Sequence, residues 1–268
     1  MKPQLFLNRR GSAIPVILFL LVLVLMAFST IPINRFDTFI IKEGKKKVIE
    51  AVKLPRKVIP RVGVQVVKTF DLSREGALKG WEEKIFKGRT SYTIEKDSGI
   101  SCIRATSNNA ASALYCKVKL DPKKNPVISW KWKVSKFPVK SMAESLENQK
   151  EDDYAGRVYV IFLAKFFLNS KVIEYVWAEN IPAGTNGTSS LSKNIKLIVV
   201  RSGPDKKGEW ISETRDIISD YRMMFGQMPE HDVGAIAVMT NTDNTQTSAE
   251  ALYGDITLGY KTEEKSVK

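Results

Sequence analysis

Side chains able to do chemistry are unevenly supplied along this chain. Among 268 residues there is one histidine, His231, beside Asp232 and without a nucleophile motif near it. Ser-His-Asp and Cys-His catalysis need an imidazole held next to the attacking atom, so that chemistry has no support here. One histidine and two cysteines do not make a zinc or iron site, and no Gly-rich phosphate loop follows a strand-like run. Carboxylates are the remaining resource. Glu151, Asp152, Asp153, Glu213, Asp216, Asp243 and Asp255 fall near the ends of strand-like segments, where a sandwich can gather them at one rim. Two acids flanking a glycosidic bond act as acid and base. The oxygen-rich run Asn241–Thr245 suits a hard cation such as calcium, although it lacks EF-hand spacing and such runs also simply make turns. No cofactor is expected, and structural calcium is the one metal these residues would suit.

Aromatic rings offer a second kind of chemistry. A pyranose presents a flat face of C–H groups that packs on an aromatic ring, while Asp, Asn and Arg pair with the hydroxyls at its edge. Tyr159, Tyr175, Trp177 and Tyr253 are the candidates. Strand parity places Arg157 on one face with Tyr159, and Tyr175 on one face with Trp177. Arg157 and Arg201 interrupt otherwise apolar runs, and a buried charge needs a partner, so each must pair with an acid or face a site. The candidate ligand-binding set is therefore Asp153, Arg157, Tyr159, Tyr175, Trp177, Arg201, Glu213 and Asp243, with no catalytic residue among them. A structural ion pair of Arg157 with Asp153 or Glu213 is the competing reading.

The elements that must position these residues are strands. In Val127–Val134, Ile128, Trp130, Trp132 and Val134 alternate with Ser129, Lys131 and Lys133, the period of a strand with one buried face, and the two tryptophans read as core. Ile100–Thr106, Ala113–Leu120, Gly156–Leu163, Val172–Trp177, Ile195–Val200, Gly234–Met239 and Leu252–Tyr260 add further β-branched or aromatic runs. One helix is expected between Asp216 and Phe225, ended by Gly226 and Pro229, and Glu144–Asp153 reads as a loop or short helical turn. The fold class is mainly β: an antiparallel sandwich of the jelly-roll, galactose-binding-like type with one or two short helices. Cys102 and Cys116 lie on two runs that a hairpin would set opposite each other, which permits a disulfide; two buried thiols are the alternative.

Ahead of the sandwich stands an almost unbroken apolar run, Ala13–Phe28, preceded by Lys2, Arg9 and Arg10. It is long enough to span a bilayer as a transmembrane anchor, and Ala27 and Ser29 also provide a small-residue cleavage site for a signal peptide. Basic residues flank both sides, and the nearer Arg9 and Arg10 favour the N-terminus inside with the folded part outside. Between 34 and 68 there are ten Lys and Arg against three acids, more than half the net charge of +13. Such a segment is either drawn to anionic headgroups or is a solvated linker. Nucleic acid is not expected, because the folded part shows no basic stripe interleaved with aromatics. The division is thus 1–33 anchor or signal peptide, 34–68 basic linker, 69–260 sandwich, and 261–268 charged tail.

Several runs together resemble a known family. Gly80-Trp81-Glu82, Ser129-Trp130-Lys131-Trp132-Lys133-Val134, Asp152 to Val160, Tyr175-Val176-Trp177, Arg201-Ser202-Gly203, Met239 to Thr245 and Tyr253-Gly254-Asp255-Ile256 occur in the order of the bacterial domain-of-unknown-function family 3047. The likeness covers about Phe70 to Leu258; the cysteines and the basic linker lie outside the pattern. It implies an exported bacterial domain, a β-sandwich resembling carbohydrate-binding modules, with no assigned reaction and no established site residues. The resulting expectation is a single-pass protein of the bacterial inner membrane with its sandwich in the periplasm or other extracytoplasmic space, binding a glycan or envelope component without transforming it. A carboxylate-dependent polysaccharide hydrolase or lyase and a structural envelope protein are the alternatives.

Overall fold

The alternation in the tryptophan strand is realised in full. In the computed structural model, which describes residues 63–262, Pro126–Lys136 is strand β6, with Ile128, Trp130, Trp132 and Val134 buried and Ser129, Lys131 and Lys133 only partly covered. Among the described residues it is one of thirteen strands that build two facing sheets. They are β1 Gly63–Thr69, β2 Trp81–Lys87, β3 Ser91–Asp97, β4 Ile100–Asn108, β5 Ala111–Leu120, β6, β7 Gly156–Phe162, β8 Lys171–Ala178, β9 Asn186–Ser189, β10 Ser192–Ser202, β11 Ile211–Asp216, β12 Val233–Asn241 and β13 Ser248–Thr262. The six-stranded sheet runs β11-β6-β13-β4-β3, with β1 also pairing β13, and the seven-stranded sheet runs β2-β5-β12-β7-β8-β10-β9.

The core lies between them. Trp130 stacks on Tyr175 with centroids 5.4 Å apart, and Trp132 meets Trp177 at 5.6 Å, so β6 of one sheet is locked to β8 of the other. That approach needs a residue without a side chain at the start of β7, because a Cβ on Gly156 would sit 3.2 Å from the Trp132 ring. Tyr253 of β13 reaches across the core, accepting a hydrogen bond from the Arg157 amide at 3.1 Å, with the Met239 carbonyl 2.6 Å from its hydroxyl. The expected helix is Ile217–Phe225, α1. The Asp216 carboxylate caps its first turn by accepting from the Ile218 and Ser219 amides, and Gly226 ends it in the left-handed conformation. Within the 144–153 segment a single 3-10 turn forms at Gln149–Glu151.

Three features differ from the sequence expectation. β8 and β10 are parallel, so the seven-stranded sheet is mixed. Parallel neighbours need the chain to return to the starting end, and β9 is that return: it runs back along the edge, antiparallel to β10, which then fills the slot beside β8. Cys102 and Cys116 are both buried and unbonded. β4 and β5 do not form a hairpin; β4 pairs with β3 and β13, whereas β5 pairs with β2 and β12 in the other sheet. Cys116 belongs to the core between the sheets, while Cys102 alternates with the core residues Ile103 and Ala105 and so points to the opposite side of its strand. Finally, β1 occupies the end of the segment read as linker, pairing Gly63 with Thr262 and Thr69 with Thr257. The apolar run 13–28, the expected anchor or signal peptide, lies outside the described residues, as does most of the basic linker. Among the described residues no helix is long and apolar enough to cross a membrane.

Candidate functional site

Of the residues expected to bind a ligand, Asp153, Arg157, Tyr159 and Asp243 converge where β7 begins and β12 ends, on the outer face of the seven-stranded sheet. Pairing sets the faces. Met239 of β12 lies opposite Arg157, Ala237 opposite Tyr159, and Tyr159 opposite Glu174 of β8. Val158, Val160, Ile173, Tyr175 and Trp177 therefore point inward to the core cluster. Tyr175 and Trp177 are fully buried there, and so is Tyr253, so these three do not form a sugar platform. Their polar atoms are also engaged: Tyr175 donates to Asp220 at 2.8 Å and Trp177 Nε1 to the Gly203 carbonyl at 3.2 Å. Arg201 and Glu213 form their own pair, with Nη2 and Oε1 at 2.7 Å. Each lies opposite a core tryptophan, Arg201 beside Trp177 and Glu213 beside Trp130, so the pair bridges β10 and β11 from sheet to sheet at a distance from Arg157 in the topology.

Arg157 is the hub of a buried network. Its Nε donates to Glu174, its Nη2 to Asp152 Oδ1 at 2.8 Å, and its Nη1 to Asn241 Oδ1 at 2.7 Å and the Asp152 carbonyl at 3.2 Å. Its acidic partners are thus Asp152 and Glu174 rather than Asp153 or Glu213. Side-chain exposure is 5% for Arg157, 9% for Asp152 and 3% for Glu174, so water contributes little to their charge balance. Burial is the largest influence on both acids: it raises Asp152, and it pushes Glu174 up to about 7 against the opposing pull of Arg157. The guanidinium also lies 5.0 Å from the Tyr154 ring centroid and 6.0 Å from that of Tyr159.

Asp153 plays a different part. It is fully buried, and Oδ2 accepts from the Thr245 amide and hydroxyl, each at 2.7 Å, while Oδ1 accepts from Asn241 at 2.6 Å and Asn244 at 3.3 Å. One carboxylate thereby ties the β12–β13 loop to the segment entering β7. Asp243 is half-buried beside it and raised by that burial and by the charge of Asp153, while its carbonyl accepts from Lys87 at 2.8 Å. The oxygens of the 241–245 run are largely used in holding this corner together. Among the described residues no group of three His, Cys, Asp or Glu side chains is arranged to hold a metal.

A cover over part of this face explains the burial. The β6–β7 connection lays Leu146 and Tyr154 on Val176, Leu197 and Val199, the outward residues of β8 and β10. Glu144 pins it by accepting from the Asn180 amide at 2.6 Å and the Ile181 amide at 3.2 Å, and by pairing with Lys140 at 2.7 Å. Beyond the cover the outer face changes character. β5 and β12 present Ala113, Ala235 and Ala237, flanked by half-buried Tyr115 on β5 and Tyr159 on β7, with Ala237 in register between the two tyrosines. Phe86 and Tyr159 pack against Ala111, Ala113 and Met239, and Glu82 and Lys117 line the outer rim beside Tyr115. Tyr115, Glu174 and Asn241 were not among the expected site residues. A lone Glu within the apolar run 172–177 was the available signal for the second, as lone Arg157 was in its own run.

The model of the family described as "Protein of unknown function (DUF3047)" matches residues 79–257, which contain every residue of this face. The chain belongs to that family. A search of curated proteins finds no match. Among solved structures the DUF3047 sandwich is similar to the enzymatically active domain of bacteriophage CBA120 tailspike protein 4, with 7% identity and a TM-score of 0.38 over 68% of this chain and 20% of that one. It is similar to the xyloglucanase domain of NopAA, a type three effector from Sinorhizobium fredii, with 12% identity and a TM-score of 0.37 over 69% and 93% of the two chains. A family 30 carbohydrate-binding module of a cellulosomal cellulase of Clostridium thermocellum follows, with 8% identity and a TM-score of 0.36 over 70% and 93%. The chain spans about a fifth of the tailspike domain's length. Likeness at this level leaves ligand and activity to be read from the residues themselves.

Proposed function

We propose that this DUF3047 chain is a membrane-tethered, extracytoplasmic sandwich that binds a glycan or cell-envelope component without transforming it. The observation that carries the reading is the pair of half-buried tyrosines, Tyr115 and Tyr159, that flank Ala237 on the outer face of β5, β12 and β7. Two strand spacings, about 9–10 Å, separate the tyrosine backbones. Ala113, Ala235 and Ala237 are themselves buried, so a sugar's apolar ring face would pack on the half-buried Tyr115 and Tyr159 rings, beside a rim where Glu82 is paired with Lys117 and the Tyr115 hydroxyl. The nearby acids support binding over hydrolysis: Asp152, Asp153 and Glu174 are buried and held by donors of the protein itself. The tether and the compartment rest on the apolar run 13–28 and its flanking charges.

Affinity electrophoresis over a panel of bacterial polysaccharides tests the reading. At least one polysaccharide is expected to retard the protein, with Tyr115→Ala abolishing retardation, Tyr159→Phe keeping it, and no reducing ends or unsaturated products released. Product formation lost on a single Asp or Glu substitution would replace the reading with the enzymatic one. Absence of both retardation and products would leave a structural envelope protein.

A further inference from the structure

One end of the sandwich gathers several chain turns that the binding face does not use. Strand register brings Leu120, Val233, Phe162 and Lys171 to the same end of the seven-stranded sheet. Gly63, Thr262, Tyr260 and Pro126 mark the adjoining end of the six-stranded sheet, tied across by the Asp121 amide donating to the Tyr260 hydroxyl at 3.0 Å. Helix α1 closes this end, with Tyr221 against Phe162 at 4.6 Å between ring centroids.

Large apolar side chains stand in solvent here. Phe166 is 73% exposed and Leu168 55% in the β7–β8 loop, with Met223 at 55% on α1 and Met228 at 47% just beyond it. Exposed lysines share the same turns: Lys165 in that loop, Lys193 at the start of β10, and Lys123 and Lys124 between β5 and β6. Of the acids at this end, Asp216 pairs with Lys261 and caps α1, Asp220 pairs with Arg215 and Asp232 lies 4.0 Å from Lys119, while Glu230 beside Met228 is exposed and the lysines outnumber it. Bulky apolar residues ringed by cations match an anionic bilayer, in which the apolar tips enter the headgroup boundary while the lysines meet phosphates. The chain's course agrees. β1 begins at Gly63 at this very end, directly after Arg56, Lys57 and Arg61 in the sequence.

We infer that this end of the sandwich, led by Phe166 and Leu168, docks directly on an anionic lipid surface, in addition to whatever tether the apolar run provides. The outer face with Tyr115 and Tyr159 then stands along the side of the docked molecule, its strands rising from the membrane. The inference stands without the glycan reading, since it uses neither tyrosine.

The test uses the full-length chain on vesicles of phosphatidylcholine with phosphatidylglycerol, both doped with acyl-chain nitroxide lipids. An environment-sensitive fluorophore is attached at exposed Asn169→Cys, beside Leu168, or, as control, at Val139→Cys. Val139 is 68% exposed at the opposite end, where its amide donates to Thr247; the native cysteines are buried. Docking predicts a several-fold stronger quenching at position 169 than at 139. Lys165→Glu with Lys193→Glu should weaken it, as should vesicles of phosphatidylcholine alone. Equal, weak quenching at both positions would overturn the inference even with the protein held on the vesicle, leaving the tether intact and assigning the apolar tips to a protein partner. Leu168→Ser should lose docking while keeping polysaccharide retardation, which separates failure here from failure of the binding face.

Discussion

Two arginines on the outer faces of the two sheets make the same kind of network in opposite surroundings. Arg104 on β4 holds Glu95 in a two-point pair at 2.7 and 2.6 Å and also meets Glu250, with the three side chains 31%, 30% and 25% exposed. Arg157 on β7 holds Asp152 and Glu174 with 5% of its own side chain exposed. The chemistry is alike, and the cover is not. Residues 137–155 fold over β8 and β10, so charges that would be solvated on a bare sheet are sealed beneath Tyr154. Exposed pairs contribute about 0–1 kcal/mol, whereas removing one member of a buried pair leaves a charge stranded and costs several times more. An ion pair's weight in this protein is therefore set by what lies above it.

The sharpest way to break this comparison is Arg157→Ala, which leaves Asp152 and Glu174 buried without their cation. A loss of about 3–5 kcal/mol in urea unfolding is expected. A loss below 1 kcal/mol would mean that water reaches the network. Next comes Asp153→Ala, which removes the acceptor for Thr245 and Asn241 and should cost roughly 1–3 kcal/mol, with hydrogen exchange rising in the 241–247 loop.

A smaller effect lies in pH. Glu174 folded titrates near 7 against an ordinary 4.5, so between these values the folded state binds more protons than the unfolded one. Stability should fall as pH rises through that window, and Glu174→Gln should flatten the slope. A slope that survives the substitution would place the proton elsewhere. The smallest effect belongs to Arg104→Ala, expected at 1 kcal/mol or less and screened by salt, the counterpart that Arg157→Ala must exceed.

Much of the architecture was legible because burial imposes periodicity. β6 read correctly since one face is sealed and the other wet, β12 since a short apolar run buried on both faces stands out, and α1 since Asp216 and Gly226 satisfy its two ends. β1, β2 and β3 did not stand out, because their residues are mostly exposed and carry no alternation: Val64, Val66 and Val67 are all about half in water or more. The parallel placement of β10 depends on where the short β9 turns back, which no local pattern encodes.

The candidate site divides along the same line. Parity alone put Arg157 with Tyr159 and Tyr175 with Trp177, and both pairings hold, because successive side chains on a strand must alternate. Which pair faces the core is a different question. It was decided when β7 and β8 met with Tyr159 opposite Glu174 and the tryptophans of β6 closed over Tyr175 and Trp177 from the other sheet. Arg157 was visible in the sequence as a charge needing a partner, yet its partners came from β8, β12 and the approach to β7. Sequence determines the period of each strand and the charges it must satisfy. Only the packing of one sheet on the other, and of the 137–155 connection on top, decides which face is dry and therefore which rings remain open to a ligand.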